Sequence, residues 1–245
     1  MTLICALKCN DGIVLGSDGQ ASANTVGGSI KHQIQKIYQV GKESLFIGSG
    51  TIGLIQKSLN VISNHSEELA DGLNYNSLES IKAEVFPIIK NARDSYIQYY
   101  NKSEGAPAID FLLCGMDEHK NLRMWHFGPD SHDEFIDVVG CYCSGSGETF
   151  GYSLLKSLMQ SSSNIRTGKL IIYRTIRDTI NAMASGVGYP IDIWYMKSDL
   201  GVHGGPNSRL EIHRISNDEM EGLSQLYKSW KKIEADFLAG NMELG

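Results

Sequence analysis

The chain has 245 residues and a mass of 27.0 kDa, and 42% of its residues are hydrophobic, which is enough for a large buried core. Its formal net charge of −6, its pI near 5.6 and the lack of any basic run argue against binding to nucleic-acid phosphates. No apolar run approaches the roughly 20 residues that span a bilayer, and the chain does not begin with a secretory signal pattern. We therefore expect one cytoplasmic domain over residues 1–245, with no nucleic acid and no membrane as partner.

The first predicted element is an antiparallel hairpin. Residues 2–9 are rich in β-forming residues, Asn10-Asp11-Gly12 is a strong turn, and the apolar run resumes at residue 13 and ends at Asp18. Because the first strand begins at residue 2, strand pairing should hold the amino-terminal residue in place. The hairpin should also return Asp18 close to Thr2.

The next predicted elements are a strand over residues 33–40 and a strand over residues 44–47. Strand alternation would put Ile34, Lys36 and Tyr38 on one face, which allows Lys36 to point inward beside Asp18. The second of these strands runs into a glycine-rich turn at residues 48–53, which opens a helix.

Further elements alternate in blocks of helices and strands. Helical periodicity predicts helices at residues 53–66, 77–100, 149–162, 168–185 and 218–238. Short apolar runs predict strands at residues 108–115, 122–126, 134–138, 141–144, 191–197 and 209–214. The amphipathic terminal helix at 218–238 fits either a cover for a sheet edge or a helix that binds a partner.

The glycine-rich turn permits an alternative interpretation as a dinucleotide-binding motif. Residues 48–53 satisfy G-x-G-x-x-G, follow a predicted strand and precede a helix. That motif should be followed about 20 residues later by an acidic residue at a strand end. Glu67 and Glu68 are near this distance but follow a helix, and antiparallel-looking hairpins precede the turn. A Rossmann fold is therefore disfavoured.

The cysteines and histidines indicate no metal or cofactor site. Five cysteines, an odd number, lie mostly in apolar β-like segments and are expected to be buried free thiols in a reducing compartment: Cys5, Cys9, Cys114, Cys141 and Cys143. The last two share a strand face, but no second pair and no histidine stands at ligand spacing. The scattered histidines form no recognisable set: His126, His132, His203 and His213. We expect no cofactor and no bound metal.

Thr2 is the candidate nucleophile. Removal of Met1 alone would leave a threonine that carries a hydroxyl and a free α-amine on one residue. An α-amine with a pKa of about 7.7–8.0 is substantially neutral near physiological pH and can accept the hydroxyl proton. A retained Met1 would turn this base into an amide and block the site. Threonine is an ordinary second residue, so the argument depends on what surrounds it.

The ordered motifs resemble the threonine peptidases of the proteasome β-subunit and HslV-type family, which are N-terminal-nucleophile (Ntn) hydrolases. The resemblance covers residues 2 to about 215 and is carried by Thr2, Asp11-Gly12, Asp18, Lys36-Ile37-Tyr38 and the glycines at 48–53. It implies an α+β fold, a four-layer αββα sandwich with antiparallel sheets.

The resemblance also implies roles for particular residues. Lys36 and Asp18 would tune the nucleophile, and the backbone N–H of Gly50 would donate to the developing oxyanion. Ser146 and Ser185 would bond near the amine. Two plainer interpretations stay open: a pair of Lys36 and Asp18 that only joins two strands, and Ser146 as an ordinary helix cap.

The family's first specificity pocket maps onto small or apolar positions, which would favour hydrophobic or bulky substrate side chains: Ala21, Ala23, Ile34, Gly48 and Ile52. The chain departs from the family pattern at Ala182, where proteasome β-subunits usually carry an aspartate. HslV-type relatives often lack that aspartate, so the departure indicates a different arrangement of hydrogen bonds in the site.

The expected function is that of a threonine-type endopeptidase acting on polypeptides, in stacked homo-oligomeric rings fed by a separate ATPase regulator, as the resemblance implies. Two alternatives stay open. One is a catalytically silent scaffold subunit, although α-type silent subunits usually carry a helix before the first strand and this sequence shows no such pattern. The other is an Ntn amidase that cleaves a small amide, which a monomeric or dimeric state would favour.

Overall fold

The computed structural model describes residues 2–25, 28–128, 133–135, 140–159, 163–182, 186–203 and 209–240. Within them the chain forms twelve strands and six helices. The strands are β1 Leu3–Cys9, β2 Gly12–Asp18, β3 Gln20–Thr25, β4 Gly28–Gln33, β5 Ile37–Val40, β6 Ser44–Gly50, β7 Ile109–Met116, β8 Leu122–Phe127, β9 Asp133–Phe135, β10 Cys141–Gly145, β11 Ile191–Ser198 and β12 Leu210–Arg214. The helices are α1 Ile52–Asn64, α2 Ser66–Ala70, α3 Tyr75–Tyr100, α4 Glu148–Leu158, α5 Ile165–Asn181 and α6 Asn217–Leu238.

Two five-stranded sheets form the centre of the molecule. The first has the order β10-β1-β2-β11-β12 and the second the order β5-β6-β7-β8-β9, while β3 and β4 form a hairpin of their own. The strand pairs in both sheets are antiparallel. The predicted first hairpin is confirmed, because β1 pairs with β2 from Ile4 opposite Ser17 to Cys9 opposite Gly12.

Side-chain alternation along β1 shows how the layers are stacked. Leu3, Cys5 and Leu7 pack with residues of α4, α5 and α6 in one apolar core. Ile4 and Ala6 point the other way, into a core shared with the second sheet. A third core joins the far face of the second sheet to α1 and α3. The layers are therefore helices, sheet, sheet and helices, which confirms the expected αββα sandwich.

One predicted strand is wrong, because residues 33–40 are interrupted. β4 ends and β5 begins on either side of a three-residue break, in which the backbone N–H of Ile34 donates to Gly19 O at 3.0 Å. Lys36 and Tyr38 consequently do not share a face. Lys36 turns inward and is only 2% exposed, whereas Tyr38 packs against the core under α1 and α3.

Other elements agree with the predictions to within a few residues. The predicted helix at 53–66 is divided into α1 and α2, and α4 ends before the predicted residue 162. Residues 136–139 and 183–185, the ends of a predicted strand and a predicted helix, lie outside the described part of the chain. The five cysteines are buried free thiols, as expected.

The terminal helix α6 covers the outer face of the first sheet. Ser216 caps it, since its Oγ accepts the N–H of Glu219 at 3.2 Å, and Leu223 and Tyr227 join the core beneath α5. In the described residues, no helix combines the length and the apolarity needed to cross a bilayer.

Candidate active site

Thr2 stands at the start of β1 and has a partner for each of its polar groups. Its Oγ1 donates to Asp18 Oδ1 at 3.0 Å. Its backbone nitrogen donates to Ser146 Oγ at 3.1 Å, and that hydroxyl donates back to Thr2 O at 3.3 Å. The residue is 6% exposed. The end of β2 supplies Asp18 and the turn between β10 and α4 supplies Ser146, so residues from both sides of β1 orient the threonine.

The Asp18 carboxylate is fully buried and accepts hydrogen bonds at both oxygens. Oδ1 accepts the Thr2 hydroxyl, the N–H of Leu3 at 2.7 Å and the ammonium of Lys36. Oδ2 accepts the N–H of Gln20 at 3.1 Å and that of Gly188 at 3.0 Å. These five donors fix the carboxylate in one orientation beside the nucleophile.

Lys36 forms a buried ion pair with Asp18. Its Nζ also donates to Gln20 O at 2.8 Å, so the ammonium joins the break before β5 to the end of β2. Burial lowers the pKa of Lys36, and the Asp18 carboxylate only partly offsets this effect. The pair therefore ties strands together and also places a cation next to the Thr2 hydroxyl.

Two glycines next to Thr2 adopt backbone conformations that other residues avoid. Gly50 has φ +115°, and a Cβ there would lie 2.3 Å from Ala108 O. Gly145 has φ +104°, and a Cβ there would lie 2.2 Å from Thr2 O. Glycine at position 145 therefore lets β10 approach Thr2 closely, and glycine at position 50 lets the end of β6 approach the backbone at Ala108.

A small cavity beside Thr2, here called the first cavity, lies towards β3. Four of the five residues predicted for the specificity pocket line it: Ala21, Ile34, Gly48 and Ile52. Lys36, Ser49, Gly50 and Ile55 complete the lining with Thr2. The fifth predicted residue, Ala23, is in β3 opposite Ile30, and its side chain lies outside the described part of the structure. The volume is about 30 Å³, the space of about one water molecule.

The size of the first cavity differs from the expectation of a pocket for bulky side chains. Ile34, Ile52 and Ile55 surround the space with branched side chains, whereas Gly48 and Ala21 contribute almost none. In this conformation the cavity has room for a small apolar group only.

A larger cavity, here called the second cavity, lies on the β10 side of Thr2. Its volume is about 200 Å³. It shares Thr2, Ser49 and Gly50 with the first cavity, and the rest of its lining is Ala108, Ile109, Asp110, Gly145 and Ser146. The first cavity is bounded by Ala21 of β3 and the second by Gly145 of β10, so the two cavities lie on different sides of Thr2.

Asp110, at the wall of the second cavity, is the centre of a hydrogen-bond network. Tyr142 Oη donates to its Oδ1 at 2.5 Å, and His126 Nε2 lies 2.5 Å from the same oxygen. Ser144 Oγ donates to Oδ2 at 2.5 Å and lies 2.9 Å from Ser49 Oγ. Burial would raise the pKa of Asp110, but the hydrogen bonds from His126, Ser144 and Tyr142 hold that pKa below its ordinary value.

Comparison with known proteins identifies the family. A family model described as proteasome subunit matches residues 2–193. The chain belongs to the proteasome subunit family. No curated protein sequence matches the chain. Among solved structures, Anbu from Pseudomonas aeruginosa in a helical assembly has a TM-score of 0.74 and 13% identity, with 99% of this chain and 98% of that chain covered.

Two further Anbu structures have the same fold. An Anbu (Gly-1) mutant from Hyphomicrobium sp. strain MC1 has a TM-score of 0.69 and 16% identity, with both chains covered completely. Anbu from Yersinia bercovieri, described as an ancestral beta-subunit, has a TM-score of 0.69 and 13% identity, with 99% of each chain covered. At such low identity these likenesses establish the fold alone.

The structure describes all but one of the predicted catalytic residues. The structure brings Thr2, Asp18, Lys36, Gly50 and Ser146 together. Ser185 lies outside the described residues. Ala182 caps the end of α5, so no carboxylate is present where β-subunits usually have one, and the described side-chain partners of Thr2 are Asp18 and Ser146.

The structure rules out the dinucleotide-binding interpretation of residues 48–53. These residues end β6 and open α1, but β6 pairs antiparallel with both β5 and β7. The parallel βαβ unit that the motif requires is therefore not formed at this position.

Among the described residues, no group of three or more His, Cys, Asp or Glu side chains is arranged to hold a metal ion.

Sequence reasoning missed the Asp110 network, although a signal was present. On β7, Leu112 and Cys114 point into the core between the sheets, and Asp110 occupies the same face one step earlier. On β8, Met124 faces that core and His126 follows it in the same way. A charged side chain in the inward register of an apolar strand indicates a site. His126 is a strand histidine, as expected, and its place in this network was not predicted.

Proposed function

We propose that the chain, once its own Met1 has been removed, is a threonine-type endopeptidase that cleaves polypeptides. The supporting observation is that one carboxylate, Asp18, binds the Thr2 hydroxyl and the buried Lys36 ammonium through the same oxygen. A nucleophile, a neighbouring cation and a fixed anion in one hydrogen-bonded group are the elements that such chemistry requires.

Acylation would proceed from the neutral α-amine of a mature Thr2. The hydroxyl transfers its proton to the amine, directly or through a water molecule, while Oγ1 attacks the peptide carbonyl carbon. Lys36 stabilises the developing alkoxide, and the backbone N–H of Gly50 donates to the carbonyl oxygen as charge accumulates on it. The C–N bond then breaks, the leaving amine takes the proton from the α-ammonium, and an ester remains on Thr2.

Deacylation would use the same base a second time. The α-amine removes a proton from water, the hydroxide adds to the ester carbonyl, and the tetrahedral intermediate collapses with release of the carboxylic acid. Oγ1 recovers its proton from the α-ammonium. Ser146, which bonds to both the nitrogen and the carbonyl oxygen of Thr2, would keep the amine oriented through both stages.

The first cavity would receive the side chain on the acyl side of the scissile bond. Its apolar lining favours hydrophobic groups, and its volume of about 30 Å³ favours small ones. Alanine is the expected preference, and larger residues would require displacement of Ile34 or Ile52.

We further propose a cytoplasmic, single-domain subunit of a homo-oligomeric assembly, in which closed rings are the default symmetry and a separate ATPase is a possible regulator. Buried free thiols accord with a reducing compartment. The helical assembly described for Anbu from Pseudomonas aeruginosa makes an open arrangement worth testing by electron microscopy.

Intact mass measured before and after treatment with a peptide epoxyketone tests the enzymatic proposal. This reagent needs a hydroxyl and a free amine on one residue. Loss of Met1 with a single adduct that is absent from Thr2→Ala supports the threonine-hydrolase site. A protein that lacks Met1 and forms no adduct, even with a small epoxyketone bearing alanine, contradicts it. A protein that retains Met1 is first cleaved in vitro by methionine aminopeptidase.

A catalytically silent scaffold subunit is the second candidate. It is favoured by the near-complete burial of Thr2 and by the small volume of the first cavity. The burial of Thr2 and the small first cavity also fit an Ntn amidase that cleaves a small amide. A large assembly that binds no epoxyketone would favour the scaffold, whereas a monomer or dimer that hydrolyses small amides but not peptides would favour the amidase.

A further inference from the structure

We propose that the second cavity binds the substrate residue that follows the scissile bond and selects a positively charged side chain there through Asp110. This inference rests on the proposed peptidase function. It assigns a specificity role to a residue that is neither the nucleophile nor one of the groups bonded to it.

The position of the cavity determines which side of the substrate it receives. A peptide whose carbonyl meets Thr2 must extend away from it in two directions, and the cavities lie on the β3 side and on the β10 side. The first cavity is assigned to the acyl side. The leaving-group residue is therefore directed to the second cavity, whose volume of about 200 Å³ accepts a long side chain.

The lining of the second cavity favours a cation. Asp110 is the one ionisable side chain among the described residues that line it, and its side chain is 23% exposed. Its three hydrogen-bond partners occupy three of about four acceptor positions that a carboxylate offers. An ammonium or guanidinium group that enters the cavity can therefore meet a carboxylate with remaining acceptor capacity.

The surrounding network keeps that carboxylate ionised and oriented. Tyr142 and Ser144 donate from β10 and His126 lies against it from β8, so three side chains on two strands limit its rotation. Such a group loses little conformational freedom when it binds a cation. The hydrogen bonds that lower the pKa of Asp110 also keep it charged over the whole physiological range.

A second carboxylate strengthens the negative field. Glu148 is the first residue of α4, directly after the turn that carries Ser146. Burial, and then the charge of Asp110, raise the pKa of Glu148, while the charge of His126 lowers it. An ionised Glu148 would add to the negative field that attracts a basic residue towards Asp110.

A purely structural role is the competing explanation. The bond between Ser49 and Ser144 joins the second sheet to the first, and Asp110 could serve only to hold these hydroxyls. A structural role predicts a loss of stability on substitution but no preference among substrates. The two explanations therefore differ in a quantity that can be measured on the unaltered protein.

The test compares two peptides that differ only in the residue after one cleavage site, lysine in one and norleucine in the other. Product formation by the full chain with Thr2 at its amino terminus is followed by mass spectrometry. We expect kcat/KM to be at least about tenfold larger for the lysine peptide, as for a charge-assisted hydrogen bond. The deacylation rate should be equal for both peptides, because the distinguishing residue has then departed.

Variants show whether Asp110 causes the preference. Asp110→Asn should reduce the lysine to norleucine ratio to about one, whereas Glu67→Gln, which removes a negative charge from the exposed surface of α2, should leave the ratio unchanged. If Asp110→Asn does not fold, the lysine to norleucine ratio of the wild-type protein still tests the inference. Ser144→Ala, which removes one donor to Asp110, should then lower that ratio.

Two results would overturn the inference: a wild-type ratio near one, or a preference for lysine on the acyl side of the cleaved bond. If an epoxyketone adduct forms while the ratio is one, or while neither peptide is cleaved, the inference fails and the threonine-hydrolase site stands. If no adduct forms and no peptide is cleaved, the proposed function fails and the inference with it.

Discussion

The two cavities beside Thr2 hold their charged groups in different ways. In the first cavity, Lys36 is paired with the opposite charge of Asp18. In the second, larger cavity, Asp110 is held by hydroxyl groups and by His126. A charge that is paired with an opposite charge inside the protein affects mainly its immediate neighbours. The neighbour here is the Thr2 hydroxyl. A carboxylate held by two hydroxyl groups and an imidazole keeps acceptor capacity for a ligand.

In the proposed mechanism this difference separates two tasks. Reactivity would depend on the pair of Asp18 and Lys36, which is buried. Selectivity can depend on Asp110, which is partly exposed. Substitutions that alter one cavity should therefore leave the other task largely intact.

The largest expected effect comes from Asp18→Asn. This change leaves the ammonium of Lys36 buried without its counter-charge, so we expect a loss of about 3–5 kcal/mol in the free energy of unfolding. Asp110→Asn, where the lost partners are hydroxyls and an imidazole, should cost about 1–3 kcal/mol. Both values are measured by denaturant unfolding at one fixed protein concentration. Equal losses of unfolding free energy in the two variants would contradict the distinction between the two cavities.

A double substitution provides the control for that prediction. Lys36→Met combined with Asp18→Asn removes both charges, and it should cost less than Asp18→Asn alone because no uncompensated charge remains buried. A double variant less stable than the single variant would mean that the other contacts of Lys36, such as its bond to Gln20 O, matter more than its uncompensated charge.

The next effect in size concerns Gly50, which borders both cavities. Gly50→Ala introduces a Cβ 2.3 Å from Ala108 O at φ +115°, so we expect a loss of about 1–3 kcal/mol and a strong decrease in hydrolysis of every substrate. Gly53→Ala is the matched control, since a Cβ there meets no atom within 4 Å and alanine favours the helix. Equal losses in the two variants would refute this account of Gly50.

A smaller effect on stability, confined to the first cavity, is expected for Ile52→Ala. Ile52 is 37% exposed, so the loss should be about 1 kcal/mol or less, below the range for a fully buried isoleucine. The enlarged cavity should accept bulkier residues on the acyl side of the cleaved bond, while the preference after the bond should not change. Peptide libraries measure both, and a simultaneous shift on both sides would show that the cavities are not independent.

The smallest effect is expected at His65, which is remote from both cavities. Burial would lower the pKa of His65, but Glu68 and Glu84, each 3.0 Å from one ring nitrogen, raise it above 6.5. Because the folded-state pKa is the higher one, the stabilisation is complete below 6.5 and is lost as the pH rises through the folded pKa.

His65→Gln should therefore destabilise the protein by less than about 1 kcal/mol near pH 5.5 and by almost nothing near pH 8.5. Unfolding measured at both values checks the sign of the difference. Cleavage specificity should be unaffected, and a change in it would link this distant ion pair to the site.

Local patterns were sufficient for much of the fold. The turn at residues 10–12 determines the register of β1 and β2, and this register alone brings Asp18 back to Thr2. Helical periodicity located α3 and α6 because their buried faces repeat within a single element. The interruption at residues 34–36 could not be predicted in the same way, since Ile34 bonds to Gly19 across the chain.

The sequence by itself determined the order of the elements, the first hairpin and the pairing of Thr2 with Asp18, because these depend on neighbours along the chain. Only the tertiary structure decided the size of the two cavities and the network around Asp110. That network takes side chains from β6, β7, β8 and β10, which belong to two different sheets. Its members meet only when the two sheets pack face to face, and no periodicity within one strand predicts that contact.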